Sequence, residues 1–309
     1  MRNSHILSLF VAALFITQCS KIEYNNVQTK YTNASAKGFN DYWYKGLAEL
    51  NSFDLEQVRY GQVHKGEAIL IFVTEDFSKS KQVKLDNPSA NTEDSIKVLK
   101  LNFTKNFLTG IYPYSLMMSV FTPVNQQKFP HTLKVSTTAQ DWCGHAFSQL
   151  NYQKNGFQFM GNSYFESEGD QQYKIKKALL EDELWNMIRL NPENLPKGDI
   201  EIIPGSFFSR LRHRKTEIVK AKATLTETDD ALHTYTLDYP ALNRQLSITF
   251  QKDFPHQVTA FEETHMSSYG ANAQQLTTRA TRKETIMLDY WNKHFNQDRK
   301  YRQDLGLGM

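Results

Sequence analysis

Apolar and polar residues alternate through most of this chain. "IKVLKLNFT" places Ile96, Val98, Leu99, Leu101 and Phe103 mostly on one parity, the period-two pattern of a half-buried strand. The same style runs through "HTLKVSTTAQDW", "HAFSQLNYQKNGFQFMGNSYFES", "GDIEII", "RKTEIVKAKATLTETDDALHTYTLDYP", "RQLSITFQKDFPHQVTAFEETHM" and "QQLTTRATRKETIML". Turn clusters punctuate these runs: "QKNG", "ETDDA", "KDFPH", and "HKGE" inside "LEQVRYGQVHKGEAILIFVTEDF". Helical periodicity is confined to a few places. Phe39, Tyr42, Trp43, Leu47 and Leu50 fall three to four apart and predict an amphipathic helix over 38–52. "IKKALLEDELWNMIRLNP" sets Leu180, Leu184, Met187 and Ile188 on one face and stops before Pro192. "DYWNKHF" predicts a short closing helix, and "DLGLGM" a loose tail.

These segments sum to about ten strands in hairpin order. Strands joined by short turns must be antiparallel, because a parallel crossover needs a dozen or more residues. A long antiparallel sheet curls or closes instead of staying flat. The expected class is therefore mainly β (α+β): a large curved antiparallel sheet or half-barrel with two or three helices, one lying against the concave side. The 13% aromatic content, with 15 Tyr and 20 Phe, fits that expectation, since rings pack well on a pleated face. No fixed-period repeat and no low-complexity tract is visible.

The N-terminus departs from this pattern. Ile6 to Ile16 is apolar except for Ser8, shorter than the roughly 20 residues a spanning helix needs. It matches the apolar core of a secretory signal peptide. Cys19 follows at the position of a lipidated cysteine, although Gln18 stands where a small residue is usual. The alternative is an ordinary signal peptide cleaved nearby, or a slow-cleaving anchor. The expected organisation is a lipoprotein signal peptide over 1–18, a polar tether over 19–36 and a single β-rich periplasmic domain over 37–309. Acyl chains on Cys19 would bind the membrane, stably if two or more are present. Ser20 carries no acidic retention signal, so the expected address is the outer membrane, on its periplasmic side or at the cell surface.

Charge and cysteine content narrow the partners. A formal charge of +3 lacks the concentrated basic surface of a nucleic-acid binder, so no nucleic-acid partner is expected. With Cys19 acylated, Cys143 has no intrachain disulfide partner, and a hydrophobic core must supply the stability. No Gly-rich phosphate loop, serine nucleophile elbow or metal-binding helix motif occurs. No cofactor and no metal is expected.

Long blocks resemble a known family. "YGQVHKGEAILIFVTEDF", "KQVKLDNP", "VLKLNFTKNFLTGIYPYSLMMSVFTPV", "LKVSTTAQDWCGHAFSQLN", "SYFESEGD", "LLEDELWNMIRLNP", "IPGSFFSRLRHR" and "LTTRATRKETIMLDYWN" are similar to Bacteroidota lipoproteins often labelled "septum formation inhibitor Maf". Genuine Maf proteins are cytoplasmic nucleotide pyrophosphatases of α/β fold with an N-terminal Ser-x-Ser-x-Arg-Arg motif. That motif is missing here, so the resemblance implies an envelope lipoprotein and not a pyrophosphatase. At fold level alone, the strand pattern is also similar to the LolA-type curled sheets that cradle acyl chains.

Several residues invite chemistry. In "DWCGH", an extended backbone puts Asp141, Cys143 and His145 on one face. Neighbours there stand about 6.6–6.8 Å apart, too far for a Cys–His pair unless Gly144 permits a bulge. As a zinc site, Cys143 and His145 supply two ligands of the three or four needed, with His131 or His213 as unsupported additions. The plain alternative is a buried structural cysteine beside a tight turn, with Trp142 packed on the other face. In "SRLRHRK", Arg210, Arg212 and Arg214 share one parity, so a strand would aim all three at one phosphate or carboxylate. The plain alternative is a solvated face. "LMMSVF" and "GIYPY" either line an acyl-chain pocket or belong to the core. "DSI" resembles the short O-glycosylation signal of Bacteroidota and marks Ser95.

Three functions compete. The first is a non-enzymatic lipoprotein binding a lipid, a glycan or another hydrophobic or anionic envelope ligand. The second is a hydrolase or transferase using Cys143 with His145. The third is a scaffold that docks envelope proteins through its aromatic surface.

Overall fold

The structure is a computed structural model describing residues 38–90, 92–268 and 270–308. The apolar run, Cys19 and the tether over 19–36 lie outside the described residues. Among the described residues, fifteen strands form one sheet. The first half contains β1 (Ala48–Arg59), β2 (Gln62–Ser78), β3 (Ser95–Thr109), β4 (Tyr112–Pro123), β5 (Lys134–Gln140), β6 (His145–Gln153), β7 (Gly156–Ser163) and β8 (Gln171–Lys176). The second contains β9 (Leu179–Leu180), β10 (Gly198–Ile203), β11 (Val219–Glu227), β12 (Leu232–Tyr239), β13 (Arg244–Gln251), β14 (Val258–Ser267) and β15 (Gln274–Leu288). From β1 the sheet runs one way, hairpin by hairpin, to β8; from β15 it runs the other way to β9. β1 pairs with β15 antiparallel, so the first and last strands are neighbours in mid-sheet, and β8 and β9 are the two edges.

The expected curved antiparallel sheet is what forms, with one exception. β9 and β10 pair in parallel, because the helix α2 (Glu181–Leu190) lies between them and supplies the crossover that parallel pairing demands. All ten residues of α2 are buried. It occupies the concave side, where Leu184, Met187 and Ile188 meet inward side chains such as Leu99, Leu101, Met118 and Val120. Trp185 packs edge-on against Phe103 and Phe261 at 5.1 and 5.3 Å. A short helix α3 (Ser206–Leu211) adds Phe207 to the same core. Gly205 precedes it for a steric reason: a Cβ there would stand 2.3 Å from the Glu181 carboxylate.

Apolar residues also face outward where chain returns to cover them. Ile96 and Val98 lie opposite Leu99 and Leu101 in parity, and form a small outer cluster with Phe77 and Leu133. Ala48, Leu50 and Val73 form a second, capped by Leu305 and Leu307. The stretch "DLGLG" of the expected tail "DLGLGM" is thus not loose, and Met309 lies outside the described residues. After α4 (Lys300–Asp304), Leu305 and Leu307 are buried and Ser52 Oγ donates to the Leu305 carbonyl at 2.5 Å.

Local expectations shift in four further places. The turn between β1 and β2 is Tyr60–Gly61, with φ of 53° and 76°, while His64–Glu67 continues as strand. Consecutive positive φ values make the tight hairpin turn whose twist matches the strands. The expected helix over 38–52 is only α1 (Phe39–Trp43); from Ala48 the chain is strand, with Glu49, Asn51 and Phe53 turned inward and buried. The segment carrying Arg210, Arg212 and Arg214 is α3 and the turn after it, not a strand. The closing stretch "DYWNKHF" forms a single 3-10 turn over Tyr290–Asn292.

Candidate functional site

The β8 edge of the sheet meets α3 and the chain that follows it along a seam. Tyr173 on β8 donates its hydroxyl to the Thr216 carbonyl at 3.1 Å, and Glu168, in the β7–β8 turn, pairs with Arg210 of α3. Beside this seam lies a groove of about 710 Å³. Phe147, Phe159 and Tyr173 contribute rings from β6, β7 and β8, while Arg210, Arg214 and Lys215 line it from α3 and the chain that follows. One wall therefore carries aromatic rings set among polar side chains such as Ser148 and Gln172, and the other carries cations.

Glu168 organises the cationic wall. Its carboxylate accepts from both Arg210 Nη atoms, from Ser163 Oγ at 2.9 Å, and meets His213 Nδ1 at 2.5 Å. Burial acts to raise its pKa, but the hydrogen bonds from Arg210 and Ser163 outweigh that, and the group stays below the ordinary carboxylate range. Phe165 packs edge-on to His213 at 4.8 Å and under the Arg210 guanidinium at 5.3 Å. Arg210 is thus already neutralised.

The backbone then turns through His213, at φ 51°, and Arg214 N donates to the Ser209 carbonyl at 2.9 Å. That turn returns Arg214 to the groove. Lys215 lies 5.1 Å over the Tyr173 ring. Arg212, at the C-cap of α3, is half-buried and does not line the groove. Two of the three arginines therefore converge, by a helix end and a turn instead of strand parity. Sequence reading missed Glu168, Lys215 and Tyr173. Their only signal was acids in "ESEGD" matching the cations in "RLRHRK", and register alone could not place those segments together.

The residues around Cys143 sit in the β5–β6 hairpin. Asp141 Oδ1 accepts from the amides of Cys143 at 2.6 Å and Gly144 at 3.3 Å, a turn built by an aspartate side chain. Cys143 is exposed, so it is not the buried cysteine of the plain alternative, and Trp142 is exposed beside it. The Asp141 charge pushes the thiol pKa up, which opposes thiolate formation and nucleophilic attack. His145 opens β6 opposite Gln140. His131 lies beyond the other end of β5, stacked on Tyr152 at 5.0 Å, so it and Cys143 are at opposite ends of the sheet. Burial lowers its pKa to about 4. Among the described residues, no group of three or more His, Cys, Asp or Glu converges as a metal site. Ser95 begins β3, half-exposed, next to an Asp94 carboxylate held by Ser78 and Ser80. In "LMMSVF", Leu116, Met118 and Val120 enter the core and Met117 faces out.

A second polar assembly lies inside the curl. Arg189 of α2 makes a bidentate pair with Glu49, both fully buried, and stands 4.7 Å over Phe72. Burial works against the Glu49 carboxylate, but Arg189 lowers its pKa below the ordinary value. Arg244 bridges Glu181, at 2.5 and 2.7 Å, and Glu263, at 2.6 Å. Lys105 lies 5.4–5.5 Å over Phe103, Phe207 and Phe261, its pKa lowered by burial. These groups fasten α2 and the sheet together; they do not line the groove.

Comparison with known proteins adds little to this geometry. No protein-family model matches the chain, and no curated protein matches it. Among solved structures, a beta-barrel-like protein of a domain of unknown function, DUF1849, from Brucella abortus is similar at a TM-score of 0.47 and 7% identity, over 78% of this chain and 98% of that one.

Proposed function

We propose that this chain is a non-catalytic envelope lipoprotein of the Bacteroidota family it resembles, anchored through Cys19 at the outer membrane. Its seam groove holds an amphipathic ligand with an anionic head, a lipid or a phosphorylated glycan. The observation that carries the reading is the pairing of an aromatic wall with the exposed cations Arg214 and Lys215 in one groove of about 710 Å³. Because Glu168 neutralises Arg210, the cations available to an incoming head are Arg214 and Lys215. Guanidinium groups suit phosphate and carboxylate through paired hydrogen bonds.

Native mass spectrometry of the full chain extracted from envelopes tests this. A ligand should copurify with the wild type and be lost from Arg214→Glu/Lys215→Glu, whose substituted positions are exposed and leave folding unchanged. A wild type that carries no ligand, or a double variant that keeps it, defeats the reading. Labelled palmitate should enter the wild type and not Cys19→Ala.

A further inference from the structure

The tips of the first four like-facing hairpins carry an exposed apolar surface that the groove does not use. Ile111 is 82% exposed, Trp142 69%, Tyr164 66% and Leu108 60%, with Tyr60 and Phe165 beside them. Because the strands run as a meander, the β1–β2, β3–β4, β5–β6 and β7–β8 turns all lie at one end of the sheet. Contacts join them. Tyr60 and Tyr114 hydroxyls stand 2.7 Å apart, the Tyr112 and Trp142 rings 6.4 Å, and a Cβ on Gly144 would lie 2.7 Å from the Tyr164 ring. Phe165 continues the row to His213 and so to the exposed Arg214 and Lys215. At the other end the tight turns "QKN" at 153–155 and "TDD" at 228–230 are polar, and the exposed apolar residues Val83, Trp291 and Phe295 lie in longer connections, not in a row of hairpin tips.

We infer that this end docks on a lipid bilayer surface. Aliphatic side chains at the outermost positions, tyrosine and tryptophan around them, and adjacent cations match the layering of a membrane interface from acyl chain to anionic headgroup. Arg214 and Lys215 are shared with the proposed ligand, but the apolar tips lie outside the groove, so quenching at Trp142 reports docking whether or not the groove is filled.

The test uses the full chain on vesicles of phosphatidylcholine with a minor fraction of phosphatidylglycerol, whose acyl chains carry bromine to quench tryptophan emission. Only the vesicle-bound fraction, collected by flotation, is compared, so association is held constant and only the site of quenching is read. Trp43 and Trp185 are buried, leaving Trp142 and Trp291 as exposed reporters. Quenching should be mostly lost in Trp142→Phe, retained in Trp291→Phe, and reduced at Trp142 by Ile111→Glu. Quenching that is insensitive to Trp142→Phe overturns the inference. A Trp142 that stays unquenched on vesicle-bound protein also overturns it, and leaves a protein partner as the occupant of this end.

Discussion

Two regions of this molecule invert the usual placement of side chains. Inside the curl, Glu49, Glu181, Arg189, Arg244 and Lys105 are buried. At the hairpin tips, Ile111, Trp142 and Leu108 face solvent. The inner charges are satisfied by one another, with bidentate guanidinium–carboxylate pairs and aromatic faces. The outer rings touch one another through tyrosine hydroxyls and tilted ring contacts. Charge with a partner is consistent with a structural role, whereas apolar area without one points to an encounter with something else.

The contrast is sharpest in stability. Arg189→Ala leaves the Glu49 carboxylate buried without its countercharge, and should cost about 3–5 kcal/mol, read as a lower urea midpoint. Next comes pH. Burial raises the Asp182 pKa from 3.8 to about 7, so its contribution to stability is complete below about 3.8 and is lost as pH climbs toward 7. Asp182→Asn should flatten the stability profile across that window. Glu263 acts in the opposite sense. Burial opposes its ionisation, but Arg244 and Lys105 hold its pKa at about 2, so its contribution is present above about 4.5 and fades as pH falls toward 2. The smallest effect belongs to the tips: Ile111→Ser should change stability by no more than about 0.5 kcal/mol, because nothing packs around it. A large loss there would show that the tips are structural and erase the contrast.

Strand alternation made the sheet and its curl legible, because period two and short turns leave few other topologies. It failed where partners lie far apart in sequence. "LLEDELWNMIRL" reads as a helix with one wet face, yet Glu181, Asp182, Glu183 and Arg189 are all buried, since Arg244, Ser206, Thr132 and Glu49 meet them from distant strands and loops. Glu49 and Asn51 likewise broke the apolar pattern that would have announced β1. "HKGE" contains a glycine that serves a close approach of β2 to β3, where a Cβ would stand 2.2 Å from the Asn106 carbonyl, while the true turn uses Tyr60 at positive φ, a residue that carries no turn signal. The site was half visible: the arginine run was noticed, but its geometry came from α3 and from Glu168, 42 residues before Arg210.

The adjacency of β1 and β15 bears on how the molecule is made. Among the described strands, β1 emerges earliest and must wait for β15, the last of them, before its second flank is covered. A truncated product would present that bare flank as a template for other chains, so completion of synthesis itself guards against clumping.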